Sequence, residues 1–474
     1  MVSSKYSYDI CIVGSGPAGL ACLSAIREPY SLDVLNDEQI ERAHTFFRRQ
    51  KKADTLSVCI VDPHSSWMQK WNKSFATLQI EHLRSPALAH PNLFDANALL
   101  AYAVEHGRVD ELHESGLFDR KELLPLGQSQ IGLWKLPSAR LFRDFCDDLS
   151  QRLKHGFLQG SAVHVEHSDS SSRFQLTVQT TNDEHVLIGT DHLILAMGPI
   201  GRPIWPSFLS HIRSSPRVCQ WTDMASILEH SPRSVLVLGG GLTAVQVAQR
   251  CAKTARQVVL CSRRTLSSRH FDIPVEWFDK RLTNKCLYDF YHLSVDERLA
   301  LLKGTRGGGS VPPGYMKDLE RLEQEGLLHR VVGTPKILCE DIEDGKYIRT
   351  QIGDHSFDFD AIILACGYQP DCESHSLIQS IQKMHPELEI HGGFPAVTED
   401  LQIAPHMFVV GALSSLYTGP DAANLMGIRR ASQVVANQLD CCLSTNRLRQ
   451  HGKVFQNRFD VFGDTESSDE EEDE

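Results

Sequence analysis

No Cys-x-x-Cys pair occurs in this chain of 474 residues, although it carries thirteen cysteines. Zinc-ligand spacing is missing too, and the cysteine total is odd. Together these argue against a disulfide framework and a dithiol redox centre, and for mostly buried thiols in a reducing compartment. No apolar run approaches the ~18 residues that a membrane span requires. The first apolar strand begins by about Tyr8, which leaves no room for a signal peptide, so a cytoplasmic protein without a membrane anchor is expected. There is no basic excess either. The formal net charge is -12, and Asp464 to Glu474 holds eight acids and no base, so the body is only mildly acidic and a nucleic-acid surface is not expected. No Ser-His-Asp set, carboxylate pair or metal-ligand cluster is legible, and the 22 histidines make no case for a metal. With 41% hydrophobic and 23% charged residues, the composition is that of a globular protein of two or three domains.

What the chain does have is glycine in a particular pattern. Asp9 to Leu20 reads as an apolar strand running into Gly14-Ser15-Gly16-Pro17-Ala18-Gly19. Gly14 permits the tight turn, Gly16 lets the backbone approach a diphosphate, and Gly19 lets the following helix, about Pro17 to Arg27, pack close to the strand. The diphosphate then sits on the helix N-terminus. A second fingerprint follows at Ser234 to Ala244, with Gly239, Gly241 and Ala244 in the three places. Two fingerprints predict two dinucleotides and electron transfer between them. Asp62 ends the next strand, Leu56 to Val61, where a carboxylate accepts from ribose hydroxyls; a charged helical segment, Asp37 to Lys52, lengthens the interval before it. After the second fingerprint the strand Gln257 to Cys261 leads to Arg263 and Arg264. Guanidiniums at that place match a 2′-phosphate, so NADPH is expected rather than NADH.

The remaining stretches are less regular. Trp67 to Asn92, rich in Trp, His and Arg, reads as a site-lining loop rather than core. Trp134 to Leu149 reads as a Pro-started helix with Leu141, Phe142 and Phe145 buried. Phe174 to Val178 and His185 to Ile188 form a hairpin, and His192 to Pro203 is an apolar strand ending in a small-x-Gly turn. Thr265 to Gly326 leaves the Rossmann pattern, as a lid, a substrate-side subdomain or a surface insertion. The pattern returns at Phe359 to Pro370. A last strand, Met407 to Gly411, brings Gly411 to the cofactor, followed by a helix over Tyr417 to Gln433. The acidic C-terminus has the composition of a disordered tail; an unknown partner for it and a homo-oligomeric state are both left open.

The order of these motifs resembles the class B flavoprotein monooxygenases, and among them the lysine/ornithine N-hydroxylase branch. The resemblance runs from Tyr8 to Leu439. Besides the two glycine motifs it is carried by LQIEHLRSP at 78 to 86, LPSARLFRDF at 136 to 145, AMGPIGRP at 196 to 203, FDIPVEWFDK at 271 to 280 and ACGYQP at 365 to 370. It implies an α/β protein with two Rossmann-like dinucleotide-binding domains, an FAD domain with an inserted NADPH domain. On that reading 1–225 and 371–445 form the FAD domain, 226–370 the NADPH domain with an inserted segment at 265–326, and 446–474 the acidic tail. It further implies FAD and NADPH as cofactors, O2 and a small molecule as substrates, and hydroxylation at N or S through a flavin C4a-hydroperoxide. Gln79 is implied near the flavin–nicotinamide junction, and Arg84 as a catalytic-site residue orienting an anionic substrate. Three departures bear on the substrate: Arg84-Ser85 replaces the family's Lys-Asp, Val275-Glu276 its Asn-Glu, and Gln220-Trp221 its His-Ser. Ornithine or lysine is therefore not assigned. Two alternatives stand beside this reading: an NADPH-dependent flavin oxidoreductase without oxygen insertion, and a non-catalytic nucleotide-binding interaction protein.

Overall fold

The computed structural model describes residues 6–27, 56–93, 95–114, 134–168, 172–277, 280–305, 309–340 and 347–444. The charged segment Asp37 to Lys52 and the acidic tail lie outside them. In chain order the elements used below are β1 (Tyr6–Val13), α1 (Pro17–Arg27), β2 (Val58–Asp62), α2 (Gln69–Leu78), α3 (Ala139–Arg152), β3 (Gly156–Gln159), β4 (Ser161–His167), β5 (Phe174–Gln179) and β6 (His185–Leu195). There follow β7 (Val218–Gln220), β8 (Ser234–Leu238), α4 (Leu242–Ala252), β9 (Gln257–Ser262), α5 (Lys280–Tyr291), α6 (Val295–Thr305), α7 (Pro313–Gln324) and β10 (Leu328–Val332). The last are β11 (Ala361–Leu364), β12 (Gln402–Ala404), β13 (Met407–Val409) and α8 (Leu425–Ser444).

Two sheets organise the chain. The first runs β12-β13-β6-β1-β2-β3, with the β4–β5 hairpin continuing from β6. Its central strands are parallel, with Ile12 paired to Ile60 on one side and to Ile194 on the other. Successive residues point to opposite faces. Ile10, Ile12 and Ile60 pack with α1, α3 and α8, whereas Cys11, Val13, Cys59 and Val61 pack with β4, β5 and the helix Ser376–Met384. Both faces are covered, which is why these strands read as unbroken apolar runs. The second sheet, β7-β11-β8-β9-β10, is likewise parallel. Val235, Val237 and Leu260 face α4 and α7, and Leu236, Leu238 and Val259 face Ile348, Ile352 and Phe359 of a small antiparallel meander. The α/β class with two Rossmann-like units is therefore what the chain adopts.

The two crossings between the units pair with each other. Gly201–Pro203, leaving the first unit, forms an antiparallel ribbon with Tyr368–Pro370, returning to it, and Arg202 Nε lies 2.6 Å from Asp371 Oδ2 beside it. A Cβ on Gly201 would lie 2.4 Å from the Gln369 carbonyl oxygen, so the strands close only over glycine.

Residues 265–305 are not a free surface insertion. Tyr291 stacks on Tyr417 with ring centroids 4.8 Å apart, Arg298 Nη1 donates to the Leu416 carbonyl at 3.1 Å, and Trp277 packs so tightly on Gly419 that a Cβ there would be 2.7 Å from its ring. The segment thus bridges from the second unit onto the first. Within the stretch read as departing from the Rossmann pattern, α7 packs back into the second unit, where Leu319 and Leu322 join Val245 and Leu328.

Three expectations need correction. Trp67 to Asn92 is not an irregular loop: it contains α2, and Trp67, Met68, Leu83, Ala87, Ala89 and His90 are buried. Trp71, Phe75 and Leu78 share one helical face, but lysines and a C-terminal run without periodicity mask it. The helix expected over Tyr417 to Gln433 is broken. A short turn of helix, Ser415–Thr418, ends at Gly419 with φ +95°, and α8 starts only at Leu425; Gly419-Pro420 is the interruption. The helix expected from Trp134 begins at Ala139, where Ser138 Oγ caps it by accepting from the Leu141 N–H at 2.9 Å.

His192 and His406 form an edge-to-face pair, ring centroids 5.1 Å apart, under the β6–β13 edge. Burial, and then each other's proximity, lowers the His192 pKa to about 4, and burial lowers His406 as well. Both stay neutral in the folded chain while the unfolded chain takes up protons from about pH 6.5, so their stabilisation is present above that pH and lost as pH falls toward 4. In urea titrations at pH 7 and pH 4.5, His192→Asn is expected to gain about 1–2 kcal/mol relative to wild type on acidification. A pH-independent difference would show that the pair is not the acid-sensitive element.

Candidate dinucleotide-binding sites

The two glycine turns are held by the same contacts. The Gly14 N–H donates to the Val61 carbonyl at 2.8 Å, and the Ala196 N–H to the Val13 carbonyl at 2.8 Å. In the second unit the Gly239 N–H donates to Cys261 at 3.0 Å and the Ala365 N–H to Leu238 at 2.8 Å. A Cβ on Gly14 (φ +116°) would lie 2.3 Å from the Ala196 carbonyl oxygen, and one on Gly239 (φ +153°) 2.3 Å from that of Ala365. Only glycine fits, for conformation and for space. The small-x-Gly stretches Ala196-Met197-Gly198 and Ala365-Cys366-Gly367 thus hold the two turns from the neighbouring strand.

The third positions differ as the sequence requires. A Cβ on Gly19 would be 1.9 Å from the Gly14 carbonyl oxygen, whereas Ala244 already brings its methyl to the place above Gly239. Around Gly16 the space into which a Cβ would point is open. That opening, at the N-terminus of α1, is the shape and polarity that a diphosphate needs. Gly411, buried with φ +71°, brings the end of β13 to within 3.5 Å of Ala18 Cβ, measured from its own Cβ position. Gly14, Gly16, Gly19 and Gly411 therefore converge on one end of the first sheet.

Asp62 stands at the end of β2 as expected, but its carboxylate is already engaged. Oδ2 accepts from the Ser15 N–H at 2.7 Å and Oδ1 from the His64 N–H at 2.8 Å. It ties the turn to the strand, and each oxygen keeps a lone pair for a hydroxyl. Arg263 and Arg264 follow β9 directly; both are exposed, and neither has a hydrogen-bond or ion-pair partner among the described residues. Ser262 Oγ donates to the Arg264 carbonyl at 2.7 Å and shapes their turn. Two unpaired guanidiniums at that strand end suit a phosphate dianion.

Gln79 and Arg84 are placed differently from the glycines. Gln79, in left-handed conformation at the C-terminus of α2 (φ 52°), is exposed, and its Oε1 accepts from Lys253 Nζ, beyond the end of α4, at 2.7 Å. With Glu81, Arg140, Arg143 and Lys253 it lines a cleft of about 520 Å³ between the units. Arg84 reaches into the second unit, donating from Nε to the His270 carbonyl at 2.7 Å and from Nη2 to the Arg269 carbonyl at 3.0 Å and Ser310 Oγ at 2.8 Å. Both residues tie the two units together, and their catalytic roles rest on the resemblance.

Sequence reasoning missed Lys253, Ser310 and Gly309, each of which meets its partner far along the chain. A Cβ on Gly309 (φ +116°) would lie 2.8 Å from Gly241 Cα and 2.9 Å from the Gly240 carbonyl oxygen; the glycine run was the available signal. It also missed His90, fully buried, whose Nδ1 faces Arg429 Nη1 at 3.2 Å and whose Nε2 faces the Ala96 carbonyl at 3.0 Å. Burial and the adjacent guanidinium hold its pKa well below the ordinary value, so it is a neutral structural link from the stretch after α2 to α8.

Comparison with solved structures finds the same architecture over nearly the whole chain. Ornithine hydroxylase from Pseudomonas aeruginosa aligns at 15% identity and a TM-score of 0.66, covering 91% of this chain and 98% of its own. Ornithine N-hydroxylase from Kutzneria sp. 744, with reduced FAD, NADP+ and L-ornithine, aligns at 15% identity and TM-score 0.65, covering 92% and 99%. L-lysine 6-monooxygenase from Pseudomonas syringae aligns at 17% identity and TM-score 0.62, covering 92% and 100%. No curated protein sequence matches significantly. Among the described residues no helix is long and apolar enough to cross a membrane. The family model for pyridine nucleotide-disulphide oxidoreductases matches residues 8–285, more than half of the chain and inclusive of both glycine turns. The chain belongs to the pyridine nucleotide-disulphide oxidoreductase family.

Proposed function

We propose that the first turn holds FAD, that the second holds NADPH, and that the protein is a monooxygenase inserting one oxygen atom of O2 into a nitrogen or sulfur of a small molecule. The observation that carries this reading is the pairing of two dinucleotide turns, built by equivalent contacts, in units tied by a ribbon and a bridging segment. Similarity over almost full length to N-hydroxylating flavoenzymes supports it. Bound at these turns, the flavin would supply hydride acceptance and oxygen activation, chemistry that no side chain offers.

The chain's own part is binding, orientation and exclusion of water. Gly14, Gly16, Gly19, Asp62 and Gly411 hold the flavin nucleotide; Gly239 and Gly241 receive the diphosphate of NADPH, and Arg263 and Arg264 its 2′-phosphate. Gln79 and Arg84 set the relative position of the two units, the geometry on which hydride transfer depends. Phe271, Trp277 and Phe290 form an apolar cluster in the bridging segment, and such a wall keeps water from an oxygen-activating site. Buried free thiols such as Cys11, Cys22 and Cys146 suit a reducing, cytoplasmic setting. A small-molecule nucleophile is the substrate class; the departures at Arg84 and Val275 leave ornithine and lysine unassigned.

With NADPH, a panel of amines and thioethers and 18O2, the expected result is one labelled oxygen atom in a product and NADPH consumption that rises with that substrate. Return of all oxygen as hydrogen peroxide across the panel, with brisk turnover on an artificial electron acceptor, would favour the oxidoreductase without oxygen insertion. Failure to retain flavin after reconstitution would leave a nucleotide-binding protein.

The double variant Arg263→Ser, Arg264→Ser is expected to raise KM for NADPH by about 10- to 100-fold, since losing the charge-assisted hydrogen bonds of this exposed pair removes roughly 1.5–3 kcal/mol in all. KM for NADH should stay within about threefold, because NADH lacks the phosphate that those hydrogen bonds serve. An equal loss with both nucleotides would detach the arginines from 2′-phosphate recognition.

A further inference from the structure

We propose that Gly309 to Val311 form a strap over the diphosphate seat of the second glycine turn, and that Arg84 is the latch by which the first unit holds the strap in place. NADPH then enters by displacing it. This rests on the assignment of the second turn to NADPH.

The two turns also differ at the second glycine. From Gly16 a Cβ would point into open space, but from Gly241, the equivalent second glycine, it would point at Gly309 Cα, 3.8 Å away. The second glycine marks where the diphosphate approaches the backbone, so Gly309 stands where the diphosphate belongs. Its own Cβ position lies 2.8 Å from Gly241 Cα and 3.1 Å from the Gly241 nitrogen. Two glycine backbones are in contact, and no larger residue at 309 allows it. Ser310 is 3% exposed and Val311 fully buried, so the strap is packed rather than loosely laid.

Two sets of bonds hold it. The Val311 N–H donates to the Ser267 carbonyl at 2.8 Å, and the Arg269 N–H donates to the Val311 carbonyl at 2.9 Å. Arg84, from the first unit, then clamps both strands of this bridge through the carbonyls of Arg269 and His270 and through Ser310 Oγ. Arg263 and Arg264, by contrast, are exposed without partners among the described residues. The 2′-phosphate end of the site is open while its diphosphate end is covered. Binding is therefore ordered: the phosphoadenosine docks first, and the diphosphate seats as the strap leaves. Arg84 is a positioning residue that makes this second step sensitive to the first unit.

The test uses the full chain loaded with FAD and two probes, NADP+ and 2′-AMP, which carries the 2′-phosphate but no diphosphate. In rapid mixing followed by tryptophan fluorescence, the wild-type rate of NADP+ association should level off with concentration, whereas 2′-AMP binds in a single fast step. Gly309→Ala and Arg84→Met should each raise the limiting NADP+ rate at least about tenfold while calorimetric 2′-AMP affinity stays within about twofold. A linear concentration dependence in wild type, or weaker NADP+ binding in both variants with 2′-AMP unchanged, overturns the strap and makes these residues part of the seat. Absence of 2′-AMP binding to wild type overturns the NADPH assignment itself, by a separate observable. Hydrogen exchange on wild type is independent of how the variants fold. The Arg269 and Val311 amides should lose protection at saturating NADP+, and a gain of protection contradicts displacement.

Discussion

The carbonyl oxygens of Ala196 and Ala365 set how closely each sheet can approach its glycine turn. Each stands 2.3 Å from the position a Cβ would take on Gly14 or Gly239, at the end of a strand paired to the one leading into the turn. The parallel ladders carry that approach along both sheets. In the first, β13 pairs with β6 in the same sense as β6 with β1, and Gly411 thereby arrives beside Ala18 at the start of α1. A side chain at either critical glycine would separate turn from neighbouring strand and open the end of the sheet where the other glycines gather.

The two units are then held to each other by contacts of a different kind. The ribbon of Gly201–Pro203 with Tyr368–Pro370 sets where the chain crosses. Lys253 on Gln79 and Arg84 on Arg269, His270 and Ser310 span the space between. Leu78 at the end of α2 lies in the hydrophobic cluster of the second unit. Hydrogen bonds from a guanidinium to several carbonyls are directional and charge-assisted, so they hold an orientation that apolar contact alone would leave loose. Hydride transfer between two dinucleotides, the chemistry proposed for this chain, depends on such orientation.

Much of this was readable from the residues because the contacts involved are local or repeated. A strand leading into Gly-x-Gly-x-x-Gly needs only its own few residues to form, and the observed α1 runs over Pro17–Arg27 as the pattern requires. The hairpin of β5 and β6 and the buried face of α3 were legible from period-2 and helical spacing for the same reason. The stretch around α2 was not. Its apolar residues serve two units at once, so Phe75 packs with the first core and Leu78 with the second, and one helical stripe is divided between two partners.

The residue order by itself determined the α/β class, the two glycine turns, the strand ends at Asp62 and at Arg263-Arg264, and the small-x-Gly stretches that meet the turns. Each is specified by backbone conformation or by side-chain period within a short window. Only the tertiary structure decided what Gln79 and Arg84 touch, that residues 265–305 bridge the units, and that Gly309 lies on Gly241. Those contacts join residues far apart in the chain, Arg84 with Ser310 being 226 positions distant. Their partners are backbone carbonyls and glycine Cα atoms, which every residue or every glycine possesses. A group common to the whole chain carries no signature of who its partner is until the fold brings the two together.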